Sequence, residues 1–304
     1  MSAIPIVYHP DYVAPLRPGH RFPMSKYGYL RAALVERGLL PATGGFISPS
    51  ALDAATVSAV HDAGYVGRVA ANRLRAEESR VIGLPDTPAV SRRGFLSAGG
   101  TLLAARLALE TGLACNMAGG SHHAGPDGGS GFCVFNDVAI AAQALIAEGR
   151  VRRVLVIDLD VHQGDGTARI FAGRGDVTTL SLHAEKNFPA RKARSDFDFP
   201  LPDGLRDAAY LEMLEHALAA VSGPAADLAF YNAGVDVHRV DRLGRLAVSD
   251  AGLRARDARV MEWCRARNLP LACVLGGGYD NDQVRLAARH AVLFEEAARA
   301  RTQH

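Results

Sequence analysis

Short runs of β-branched and aliphatic residues alternate with longer stretches of helical period along this chain, and that alternation predicts its elements. "IPIVYHP" (4–10) reads as an opening strand. Residues 99–112 set Leu102, Leu103, Leu107 and Leu109 among alanines and predict a helix. "LACN" then reads as a short strand running into the glycine-rich loop "MAGGSHHAG". Residues 136–149 predict the next helix, with Asn136 as its cap signal and Gly149 as its stop. "RVLVIDLD" is a strand, 165–173 a helix, "DVTTLSLH" a strand, and the charged, proline-containing stretch 184–204 a loop. "RDAAYLEMLEHALAAVSG" is a helix, "ADLAFYNAGVD" a strand, and "SDAGLRARDARVMEWCRARN" a helix with a Ser/Asp start. "LPLACVLGGGYD" is the last strand, and 282–301 form the closing helix.

This order predicts an α/β fold: a single doubly wound, mainly parallel sheet with helices on both faces, spanning 1–304 as one domain. No repeat, low-complexity tract or linker divides it. In such sheets ligands bind beyond the carboxyl ends of the strands. Those ends read "GGSHHAG", "DLDVHQGDG", "SLH", "NAGVD" and "GGGYD", so the reactive side chains gather at one edge.

Composition narrows the function classes. Basic and acidic residues nearly balance, 34 against 32, with no concentrated basic stripe for nucleic acid. The pairs Arg92–Arg93 and Arg152–Arg153 read as solvated surface. No apolar run is long enough to span a membrane, and the N-terminus lacks a secretory signal pattern. Cys115, Cys133, Cys264 and Cys273 form no C-x-x-C pair and read as buried thiols of a reducing compartment, the cytoplasm.

Asp158, Asp160 and His162 alternate, so an extended backbone points them the same way. Two carboxylates and an imidazole on one face desolvate badly without a cation, and a metal resolves the conflict. A catalytic zinc takes three protein ligands and leaves one position open. Asp160 and His162 supply two. The third comes from "NAGVDVH", as Asp236, which follows the small-residue turn, or as the competing His238. The adjacent His122 and His123 point in different directions and suit acid–base work better than joint ligation. Each would need a carboxylate, and Asp158 and Asp165 are the two acids left over. Tyr279, after three glycines, is a candidate hydrogen-bond donor to a developing oxyanion.

The combination "GGSHHA…GFCVFND", "DLDVHQGDG", "SLH", "NAGVD" and "LGGGY" resembles the histone deacetylase family of the arginase/deacetylase superfamily, over about residues 95–280. "YNAGVDVHRVDRLGRLAVS" and "FPARKARSDFDFPLPDG" look most like compact bacterial relatives of the class IV deacetylases. The resemblance implies one Zn2+ on Asp160, His162 and Asp236. It implies His122 supported by Asp158, His123 supported by Asp165, and Tyr279 polarising the substrate carbonyl. It also implies an acyl-lysine tunnel walled by Phe132 and Phe188 with Gly131 beside the first, whereas Phe135 and Phe171 read as core. A K+ ion, structural or regulatory, would sit near Asp158, Asp160, His162, Ser181 and Leu182. The implied reaction is hydrolysis of an N-acyl amine, with an acylated lysine of a protein or peptide as substrate. An acetylpolyamine or small metabolite is the alternative, and Asp86 or Glu185 would then be candidate rim acids. A di-manganese ureohydrolase would need an Asp-x-Asp after the later strand, which "AGVDVHRVD" lacks. A non-catalytic acyl-lysine binding module would not need every catalytic position filled.

Overall fold

The computed structural model describes residues 4–223 and 225–302. Its strands are β1 (Ile6–Val7), β2 (Leu113–Asn116), β3 (Val154–Asp158), β4 (Val177–Ala184), β5 (Phe197–Leu201), β6 (Leu228–Asn232) and β7 (Leu271–Val274). Its helices are α1 (Lys26–Glu36), α2 (Ala54–Val57), α3 (Ala63–Ala70), α4 (Ala76–Ile82), α5 (Pro88–Thr111), α6 (Asp137–Ala147), α7 (Asp165–Ile170), α8 (Asp207–Ala220), α9 (Asp250–Arg265) and α10 (Gln283–Thr302). The strands form one seven-stranded sheet in the order β1-β2-β7-β6-β3-β4-β5, and every neighbouring pair runs parallel.

Alternation along the strands divides the core. Leu155 and Ile157 of β3 face one layer with Tyr231, Leu214, Leu253 and Leu286, so α8, α9 and α10 cover that side. Val154 and Val156 face the other, with Leu102, Ala105, Val138 and Phe230, under α5 and α6. Burial on both faces explains why β2, β3, β6 and β7 are nearly continuous apolar runs. A parallel sheet brings all carboxyl ends to one edge, and the polar motifs follow β2, β3, β4, β6 and β7 there. Among the described residues no helix is long and apolar enough to cross a membrane.

The structure departs from the sequence pattern in four places. The opening strand is only Ile6–Val7, because Pro10 lacks an N–H and starts a 3-10 turn. No element was predicted between 10 and 99, where α1 to α4 and the first half of α5 lie. Helix α5 begins at Pro88, capped by the Thr87 hydroxyl, and it is buried nearly all round, so its first half shows no two-sided pattern. The loop 184–204 contains β5, an edge strand that tolerates Pro200 because one of its sides needs no ladder donor. Arg93, read as surface, is buried and donates from Nε to the Tyr12 carbonyl and from Nη2 to the Tyr27 hydroxyl, while Arg92, Arg152 and Arg153 are exposed. The four cysteines are buried and unbridged.

Two glycine-to-alanine changes test this packing in opposite directions. A Cβ at Gly99 in α5 would lie 2.0 Å from the Ser50 carbonyl oxygen, whereas one at Gly67 in α3 meets nothing within 4 Å. Gly67→Ala should stabilise by about 0.5–1 kcal/mol through helix propensity, and Gly99→Ala should destabilise by about 1–3 kcal/mol through overpacking. Thermal melts of both variants read the two signs.

Candidate active site

Asp158 ends β3 opposite Ser181 of β4 and Asn232 of β6. Its carboxylate is fully engaged. Oδ2 lies 2.6 Å from His122 Nδ1, and Oδ1 accepts from Asn232 Nδ2 at 3.0 Å and from Asp160 N at 3.2 Å. His123 Nδ1 lies 2.6 Å from Asp165 Oδ1 at the start of α7, and Arg169 of the same helix donates to Asp165 Oδ2. The adjacent imidazoles, with centroids 4.1 Å apart, thus each have a separate carboxylate.

The two dyads differ electrically. Burial alone would lower the His122 imidazole, but Asp158 and Asp160 overcome it and push it up to about 9. His123 goes the other way. Burial, reinforced by the His122 charge, pulls it down to about 3 against the attraction of Asp165. Asp165 is also paired with Arg169. One histidine is therefore held charged and its neighbour neutral.

Beyond β3, Asp160, His162 and Asp236 bring one ligand atom each within 4.8 Å of one another, all buried. His162 Nδ1 is 3.0 Å from Asp160 Oδ1 and 3.2 Å from Asp236 Oδ2. Asp160 Oδ1 accepts from His162 N and Oδ2 from Gly277 N, and Asp236 Oδ1 accepts from Val161 N. Asp236 Oδ2 meets only the His162 ring nitrogen, which also faces Asp160 Oδ1. A Cβ at Gly277 would stand 2.0 Å from that oxygen, so only glycine lets the β7 loop close on the cluster. Burial would lower the His162 imidazole, yet its hydrogen bonds to Asp160 and Asp236 push it up to about 10, so without a metal a proton does the neutralising. Two carboxylate oxygens and one imidazole nitrogen, all buried and within 4.8 Å of one another, fit a divalent cation with an open coordination position. His238 is not part of this cluster; its Nε2 lies 3.5 Å from Asp250 Oδ1.

Tyr279 closes the site from the β7 side. Its ring is 6.2 Å from His162 and 5.9 Å from Phe132. Burial, then the Asp236 and Asp160 charges, keep its phenol protonated well above the ordinary range, so it stays a donor. Phe132, with φ +67 after Gly131 at φ +53, lines the pocket, and Phe188, 44% exposed, stands edge-on to His123 at 4.8 Å. Phe135 and Phe171 are core residues. Ser181 is beside Asp158, its Oγ 3.0 Å from His183 Nδ1, and Leu182 follows it, fully buried. Asp86 is taken up by the Leu74 N–H, and Glu185 is exposed and lies near Lys192.

Several residues of the site carry no motif of their own. Asp137 accepts from Gly120 N, Ser121 N and the Thr101 hydroxyl, fixing the turn before the histidines. Its proximity to the Asn136 cap was the available signal. Asn232 was legible only as a polar residue ending an apolar strand. Phe22, Tyr27 and Arg93 line the inner end of the pocket, and Lys26 is buried beside it, 3.3 Å from the Gly276 carbonyl. Sequence distance hid all four.

A sequence profile of the histone deacetylase domain matches residues 20–294. The chain is 47% identical over 294 residues to an uncharacterised protein of Picosynechococcus sp., covering 96% of this chain and 98% of that one. It is 30% identical over 301 residues to histone deacetylase 2 of Arabidopsis thaliana, covering 95% and 78%. The crystal structure of acetylpolyamine aminohydrolase from Burkholderia pseudomallei superposes with a TM-score of 0.76 at 25% identity, covering 96% and 98%.

Metal binding gives a direct check on the cluster. Zn2+ added to the chelator-treated protein should stabilise it by about 2.7 kcal/mol at 100-fold excess over Kd. It should also release protons at pH 7, because His162 must give up its proton to ligate. Calorimetry in buffers of different ionisation enthalpy counts those protons. Asp236→Ala should show neither effect.

Proposed function

This chain belongs to the histone deacetylase family, and on that premise we propose that it hydrolyses the amide of an acylated lysine in a protein or peptide, using one zinc ion on Asp160, His162 and Asp236. The observation that carries the reading is the pair of histidine–carboxylate dyads, one imidazole charged and the other neutral, beside the Asp160–His162–Asp236 cluster, with the Tyr279 ring 6.2 Å from that of His162. A metal-dependent amidohydrolase needs a neutral base, a fixed positive charge, a cation and an oxyanion donor in one place, and these residues supply that set.

Zinc bound there would polarise the amide carbonyl and lower the pKa of water from ~15.7 toward ~7. The protein does the rest. His123, held neutral, takes a proton from the attacking water at Nε2 and later returns it to the departing amine, help worth on the order of 10²–10⁴-fold. His122, held charged by Asp158, stabilises negative charge as it develops. Tyr279 donates its hydroxyl proton in a hydrogen bond to the carbonyl oxygen, an interaction worth roughly 3–4 kcal/mol. Phe132 and Phe188 enclose the apolar lysine stem with little rotamer entropy to lose, and Gly131 leaves room beside them: a Cβ there would stand 2.7 Å from the His123 ring. A K+ ion near Asp158, Asp160, His162, Ser181 and Leu182 is part of the same proposal. An acetylated polyamine is the second reading, favoured by the likeness to the Burkholderia pseudomallei aminohydrolase.

A panel of acetyl- and longer acyl-lysine peptides and acetylated polyamines, assayed with and without chelator, tests the proposal. Chelator-sensitive turnover of acyl-lysine peptides is expected, and turnover of polyamines alone would replace that substrate. Tyr279→Phe should keep fold and metal but lose about 10²–10³-fold in kcat. Undiminished turnover would remove Tyr279 from the chemistry.

A further inference from the structure

The loop that carries Tyr279 is stitched to the rest of the site peptide by peptide. Gly276 N donates to the Gly119 carbonyl, and the Gly276 carbonyl accepts from Lys26 Nζ. Gly277 N donates to Asp160 Oδ2, and the Gly277 carbonyl accepts from Val235 N. At Tyr279 itself, N donates to Asp241 Oδ2 at 2.6 Å, and the carbonyl accepts from Arg242 N at 3.0 Å. Two consecutive residues thus hold both polar groups on the Tyr279 backbone.

Asp241 lies in the turn that follows Asp236. Its Oδ1 accepts from Leu243 N at 2.9 Å and Gly244 N at 3.1 Å, which accounts for the turn. That role uses one oxygen. The second is aimed at another strand end and takes the Tyr279 N–H. Gly278, at φ +155, gives this stretch a backbone conformation that side chains rarely adopt, so the peptide after it needs an external partner to fix it. We propose that Asp241 is the positioning residue for Tyr279: its carboxylate ties the loop bearing Asp236 to the loop bearing the oxyanion donor and sets where the phenol stands. The inference rests on the reading that Tyr279 donates to the substrate carbonyl, but the tether itself can be tested without turnover.

Asparagine is not a neutral replacement at 241. Three N–H groups converge on its two oxygens, so an amide must turn its own NH2 toward one set of donors. On acetyl-lysine peptide, Asp241→Asn and Asp241→Ala should each lower kcat on the order of 100-fold with KM little changed, as expected for a misplaced transition-state contact. The same changes in a Tyr279→Phe background should cost less than about threefold, since the contact is already gone. Zinc content and melting temperature of each variant identify any that fail to fold, and Asp241→Asn is the gentler of the two. Independently of turnover, 3-fluorotyrosine placed at 279 should give one sharp 19F line in the parent protein and a shifted or broadened line in Asp241→Asn. An unchanged fluorine line overturns the proposal, and so does a kcat loss equally large with and without the Tyr279 hydroxyl. A parent protein that hydrolyses no acyl amine would instead refute the proposed function, and the fluorine line would still decide the tether.

Discussion

Two carboxylates and an imidazole are buried together at the carboxyl edge of the sheet, and their mutual electrostatics constrain everything around them. Asp160 and Asp236 are almost completely buried, and Asp160 raises the cost of charge on its neighbour. Burying such a pair without compensation would cost several kcal/mol per ion. The fold compensates with backbone donors: His162 N, Gly277 N and Val161 N each supply one. Two of those donors follow β3 and the third follows β7, while Asp236 follows β6. The strands must therefore terminate in register, and the register β3 keeps with β6, Asp158 opposite Asn232, is part of the site as much as of the sheet.

The same logic orders the outer shell. Arg256 of α9 is fully buried and donates to the carbonyls of Ala233 and Gly234, just before Asp236, with its charge met by Asp257. The Asp257 carboxylate in turn accepts from the Tyr231 hydroxyl. A buried network of this kind is stable only when each member is satisfied, and satisfaction here fixes the backbone on which the cluster is mounted.

Identical side chains acquire opposite roles from their surroundings. His122 and His123 are neighbours in sequence with the same chemistry and the same type of partner. The difference lies around them: His122 has two carboxylates near it, Asp158 and Asp160, while His123 has Asp165 and the charge of His122 beside it. Two nearby carboxylates keep one imidazole protonated, and burial beside that charge leaves the other neutral and free to accept a proton.

The sequence by itself determined the alternation of strands and helices, because burial on both faces of a parallel sheet forces apolar runs of recognisable length. It also determined which side chains stand at the strand ends, since "HH", "DLDVH", "NAGVD" and "GGGY" follow those runs directly. Edge strand β5, the largely buried first half of α5 and the burial of Arg93 escaped it, because none produces a two-sided pattern. The residue pattern left Asp236 and His238 both open and the family resemblance favoured Asp236, but tertiary structure is what brings Asp236 to Asp160 and His162 and sets Asp158 against His122 and Asp165 against His123. Those choices depend on side-chain direction and on distances across the sheet, and neither is encoded by position along the chain.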